Sequence, residues 1–240
     1  MIHLLLIFIF EGLFLLYYVS SNIEFGNGAV FLTISTFAFA TYTGFFISRQ
    51  GRRYSQIRKL LATFDGILSS MYRDAEHISI AMKNGIKKIV IKHYTAVKKK
   101  KQWDYHLKNK STTLTDINLL LEKQIGAKSL KSLKNFSLRN IMSGLQDLQV
   151  LRKQMIALEL EKVPAFYWGI LGILAGVLLA ALSFIPSQGL LLYSALKVAF
   201  AIAIILVVYL LYKLNGLRFF EKTIGQKSAQ DILEIFDNKK

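Results

Sequence analysis

Four long apolar segments, set in two pairs on either side of a basic stretch, constrain this chain more than any other feature. Residues 2–19 and 29–47 form the first pair, and residues 165–185 and 190–212 the second. Each has about the 20 apolar residues that a helix needs to cross roughly 30 Å of hydrocarbon. A helix in a water-soluble core needs only one apolar face, so four such segments have no place in a soluble fold. The expected fold class is an all-α integral membrane protein: four transmembrane helices and a central cytoplasmic helical bundle. The expected domains are a first helix pair over 1–48, a basic cytoplasmic helical domain over 49–163, a second pair over 164–212, and a cytoplasmic tail over 213–240 with a short amphipathic helix.

Charge sets the expected orientation. The chain is 53% hydrophobic and carries a net charge of +16. Between Arg49 and Lys162 there are 24 Lys and Arg against 9 Asp and Glu, whereas residues 20–28 and 186–189 contain no Lys or Arg. Positive residues beside spans mark the cytoplasmic side. Arg49, Arg52 and Arg53 follow the second span, Lys162 precedes the third, and Lys213 and Arg218 follow the fourth. With four spans these flanks share one side, which predicts both termini in the cytoplasm of a cell or inner membrane protein. The first segment reads as a span rather than a cleaved leader: Met1-Ile2-His3 offers no basic start, and the apolar run is long for a leader. The absence of cysteine excludes disulfides and thiolate metal sites.

Beyond the second span the periodicity is helical. Ile57, Leu60, Leu61, Phe64, Ile67, Leu68 and Met71 recur at three- and four-residue spacing. A further helix is expected over about 78–106, with Met82, Ile86, Ile89, Val90, Tyr94 and Val97 on one side. Thr113 and Asp116 have capping-box spacing and open a helix with Ile117, Leu120, Leu121 and Ile125 inward. A long pattern from Leu130 and Leu133 through Ile141, Leu145, Leu148, Leu151, Met155 and Leu158 leads to Pro164, which is suited to the first turn of the third span. Residues 228–236 read as a capped amphipathic helix.

Several residues stand out within the spans. Glu11 and Lys197 each interrupt an apolar segment, and a charge at the bilayer centre costs about 2.5–3.5 kcal/mol on insertion scales. Counted from the outer ends of their helices, both lie about 10–12 Å deep. They are expected to form an intramembrane charge pair, either to hold helix register or, for Lys197, to face a permeation path. In the second span Thr33, Thr36, Ala40, Thr43 and Ile47 fall on one stripe, with Gly44 beside it and Phe37 among the flanking aromatics. These are candidate pore-lining positions, since small and hydroxyl residues suit a wet path and Phe a constriction. The other reading is close helix packing, with hydroxyls bonded to their own backbone. Gly172, Gly176 and Ala180 form a small-xxx-small packing motif. Tyr17, Tyr18, Tyr167 and Trp168 suit the membrane interfaces.

The run Lys98–Lys101 reads as a solvated or lipid-facing surface, because each basic residue near an anionic membrane is worth about 1 kcal/mol. No nucleic-acid module accompanies it. His77, His93 and His106 lack the two-His spacing of a zinc helix, and no phosphate-binding glycine loop occurs. The residues therefore point to no catalytic site, metal or cofactor.

Three stretches resemble the bestrophin-like membrane family, a group related distantly to the bestrophin anion channels. They are Arg53-Tyr54 and Arg58-Lys59-Leu60-Leu61 through Tyr72-Arg73; Val163-Pro164 with Tyr167-Trp168; and Leu214-Asn215-Gly216-Leu217-Arg218-Phe219-Phe220 followed by Ile224-Gly225 and Ser228-Ala229-Gln230-Asp231-Ile232-Leu233. The resemblance implies a homo-oligomer, such as a pentamer, whose second spans surround a path for inorganic anions. The chain departs from the bestrophins in lacking an acidic cluster like their calcium clasp and in being shorter. The alternative is a membrane-anchored helical scaffold or regulator whose basic domain binds a partner or anionic lipid headgroups.

Overall fold

The computed structural model describes residues 11, 12, 15, 28–100, 104, 112–125, 132–185, 191–218 and 225–237. Within them lie seven helices and no strand: α1 (Gly28–Ile78), α2 (Ile80–Lys100), α3 (Thr113–Ile125), α4 (Ser132–Leu160), α5 (Ala165–Ser183), α6 (Leu191–Asn215) and α7 (Gly225–Asp237). Three of these, α1, α5 and α6, contain windows long and apolar enough to cross a membrane. The expected first span over 2–19, and with it the count of four, lies outside the described residues except for Glu11, Gly12 and Leu15, which are helical.

The chain divides into two compact units. One comprises residues 1–51 and 162–216 and the other residues 52–161 and 217–240.

In the first unit, α5 and α6 pack on the start of α1 through Phe39, Phe46, Leu171, Leu178, Val198, Ala201, Ile204 and Leu211. Pro164 is the N-cap of α5 rather than its first helical residue, with φ −59° and ψ 152°. Its carbonyl accepts the Tyr167 N–H at 3.1 Å, so the extended ψ turns the chain and the first helical turn begins on it. The preceding Val163 N–H is held by the Asn215 side-chain oxygen at 2.8 Å. Two of the stretches behind the family resemblance are thus tied together by one hydrogen bond. Gly28 is needed where it stands: a Cβ there would come within 2.9 Å of the Phe184 carbonyl oxygen.

The second unit is built on the apolar faces of its helices. Phe64, Leu68 and Met71 of α1 join Met82, Ile86, Val90 and Tyr94 of α2, Ile117 and Leu121 of α3, and Ile141, Leu145, Leu148 and Met155 of α4. Ser79 separates α1 from α2 and caps the latter, its hydroxyl accepting the Met82 N–H at 3.1 Å. The start of α3 differs from the expected cap. Thr112, not Thr113, donates to the Asp116 carboxylate, at 2.9 Å. Thr113 instead turns inward, where its hydroxyl meets His93 Nδ1 at 2.9 Å. Leu133, part of the expected apolar pattern, is exposed. The tail helix α7 is a core element, since Ala229, Ile232 and Phe236 complete the same cluster and Phe236 lies 4.4 Å from Tyr72, ring to ring.

Arg53 makes two close polar contacts within this unit. It is 2% exposed, and its guanidinium donates to the carbonyls of Leu158 and Glu159 at 2.5 and 2.7 Å. These belong to the last turn of α4, whose carbonyls have no partner within the helix. A cation is the favourable charge there. Burial lowers the Arg53 pKa from its ordinary value, partly opposed by the nearby carboxylates Glu159 and Glu161.

Candidate functional site

The membrane-length part of α1 has two unlike faces. Its packed face carries Ser35, Phe39, Thr43, Phe46 and Gln50, all buried. Phe46 sits 5.2 Å from the ring of Tyr167, and the Tyr42 hydroxyl donates to the Tyr167 carbonyl at 3.1 Å. The opposite side is exposed along its length: Thr33, Phe37, Ala40, Thr41, Gly44 and Ser48 recur at helical spacing beside the exposed Val30, Ile34 and Phe45, with Phe37 at 73% exposure. No atom comes within 4 Å of the position a Gly44 Cβ would take.

The sequence-derived stripe is therefore divided. Thr33, Phe37, Ala40 and Gly44 share the open face, Thr36 and Ile47 lie half-buried at its border, and Thr43 is buried on the packed side. The hydroxyls have local partners. Thr33 Oγ1 donates to the Ala29 carbonyl at 2.9 Å, Ser35 Oγ to Phe31 at 2.7 Å and Thr43 Oγ1 to Phe39 at 2.6 Å. Bonding to the carbonyl four residues back lets a hydroxyl face an apolar medium without an unsatisfied donor. It leaves the oxygen's lone pairs on the open face at Thr33 and on the packed face at Thr43. Thr41 and Ser48 belong to the open face although the stripe omitted them; their spacing of four from Phe37 and Gly44 carries the signal.

Lys197 is 6% exposed on α6, and its ammonium donates to the Ile185 carbonyl beyond the end of α5. Glu11 is exposed, and the two form no ion pair among the described residues. A carbonyl just past a helix C-terminus suits an ammonium, since the last carbonyls of a helix present partial negative charge. Gly172, Gly176 and Ala180 line an exposed side of α5, and no atom lies within 4 Å of where either glycine's Cβ would be. Tyr167 and Trp168 sit at one end of α5, where Trp168 meets Tyr212 at 6.3 Å between ring centroids. Tyr17 and Tyr18 lie outside the described residues.

Lys98, Lys99 and Lys100 are exposed on the last turn of α2. Among the described residues no group of three or more His, Asp or Glu is placed to hold a metal ion.

Residues 27–216 match the family model of the Bestrophin-like domain. No curated protein and no solved structure matches the chain.

Proposed function

The chain belongs to the bestrophin-like family, and from that premise we propose a multi-pass, homo-oligomeric anion channel whose path runs along the open face of α1. The observation that carries this reading is the composition of that face. Beside the exposed apolar residues Val30, Ile34, Phe37 and Phe45, this side of α1 carries Thr33, Ala40, Thr41, Gly44 and Ser48, small or hydroxylated residues that a surface facing only lipid does not require. Copies of α1 around a common axis would turn this face to water, with Thr33 and Ser48 toward the two ends and Phe37 as an apolar constriction. Five copies is the assembly to test. The exposed glycines of α5 suit close approach to a neighbouring subunit. Basic residues flanking the spans support a cytoplasmic side for both termini, and a basic field of this kind raises the local concentration of anions.

The test is chloride flux from liposomes holding the purified oligomer. Ala40→Leu and Gly44→Leu fill the open face without touching the packed one, so each is expected to abolish flux while leaving the oligomer intact. Flux unchanged in both variants, or none from the folded wild type with any anion or cation, would overturn the reading. The scaffold reading is favoured by one observation, the three exposed lysines ending α2. It expects no flux, and lipid or partner binding that falls when Lys98, Lys99 and Lys100 are neutralised.

A further inference from the structure

In the second unit, α3 and α4 enclose an open cleft of about 370 Å³ that none of the readings above employs. Gln149, Arg152, Lys153 and Ile156 face it from α4 at spacings of three, four and seven, and Leu114, Thr115 and Asn118 from α3. Two adjacent cations therefore meet three neutral polar side chains, with one aliphatic side chain contributed by each helix.

Arg152 Nε is buried and has no hydrogen-bond partner. Buried donors are seldom left so, and one on a cation is especially costly, which marks Arg152, a residue lining the cleft, as incompletely satisfied. The neighbouring carboxylates are engaged elsewhere. Asp116 accepts from Thr112 at 2.9 Å and stands 3.9 Å from Lys92. Glu122 accepts from Asn118 Nδ2 at 2.7 Å, leaving the Asn118 oxygen free of that bond. Glu159 lies in the field of Arg53. No ion pair to Arg152 or Lys153 occurs among the described residues.

We propose that this cleft is a binding site for a small phosphate monoester. Its dianionic head would be held by Arg152 and Lys153, with Thr115 and Gln149 donating to the remaining oxygens. A planar guanidinium matches the tetrahedral oxyanion through paired N–H bonds, and the adjacent ammonium supplies the second charge. The space exceeds that of a bare oxyanion, so the carbon body of the ester rests on Leu114 and Ile156. The same head group is found on soluble esters and on phosphatidic acid, and the two sources are separable by experiment. The proposal stands apart from conduction and is read by binding alone.

Titration calorimetry on the full-length protein in detergent would use glycerol 3-phosphate and inorganic phosphate as soluble probes. Nanodiscs with phosphatidic acid, against phosphatidylcholine alone, provide the membrane probe. Saturable binding is expected, tighter for the ester than for phosphate. Arg152→Met should weaken it about tenfold or more, the loss of a charge-assisted contact. Asn118→Leu keeps both cations but fills the cleft, and should weaken binding as strongly; it decides the matter if Arg152→Met does not fold. Arg139→Gln removes an exposed cation of α4 outside the cleft and should change nothing. Arg152-dependent binding only in phosphatidic acid nanodiscs supports the site with a lipid as its source. Absence of binding to every probe, or equal losses from Arg152→Met and Arg139→Gln, would overturn it.

Discussion

Arg53→Met removes the guanidinium that terminates α4 while keeping most of the apolar stem. Two bonds from a charged donor are lost, at 2.5 and 2.7 Å, and bonds to charged groups contribute about 1.5–3 kcal/mol each. Removing a cation from a helix C-terminus adds about 0.3–1 kcal/mol. Against this, the variant no longer buries a charge, an effective penalty of several kcal/mol in proteins. The balance is a destabilisation of about 2–4 kcal/mol, since both carbonyls lose a charged donor while the Leu158 carbonyl keeps the Glu161 N–H at 3.3 Å. For a chain of this length each kcal/mol moves the melting point about 2–4 °C, so a fall of about 4–16 °C is expected. Arg53→Lys keeps the charge but not the forked donor, and should fall about midway between. The assay is thermal unfolding followed by helical circular dichroism, with amide exchange in the last turn of α4 as the local readout. A melting point within about 2 °C of wild type, or Lys no better than Met, would refute the assignment of Arg53 as the α4 terminator.

Two further outcomes follow from the second unit. Tyr94 is 3% exposed and its hydroxyl donates to Asp65 Oδ1. Burial, and then the Asp65 charge, raise its pKa well above 10.0. A raised folded pKa means that this contribution is complete below pH about 10 and declines as pH rises beyond the unfolded tyrosine value. Tyr94→Phe should therefore cost about 1 kcal/mol at neutral pH and show a shallower loss of stability above pH about 10 in denaturant titrations. In α7, Phe236→Ala empties a fully buried position and should cost about 3–5 kcal/mol. Ile235→Ala, at an exposed neighbour, should stay within about 0.5 kcal/mol. Equal effects in denaturant melts would show that α7 does not belong to the core.

Where helices run, and which of them suit a membrane, could be read from the residues alone, because both depend on local composition. The expected spans 165–185 and 190–212 differ from α5 and α6 by only a few residues, and Met82, Ile86 and Val90 fall inward as their spacing requires. The family was also legible, in motifs such as Arg53-Tyr54 and Asn215-Gly216. What those residues do was not: Arg53 and Asn215 both bond backbone groups far away in the chain, and a backbone partner leaves no mark in composition. Packing assigned α7 to the second core, since an amphipathic helix declares an apolar face but not its partner. It likewise decided between Thr43, buried, and Gly44, open, one residue on. In water, contrast between apolar and polar faces tells a helix which side is inside. In a membrane both lipid and protein interior are apolar, that contrast vanishes, and the packing of α5 and α6 alone selects the face of α1 that stays free.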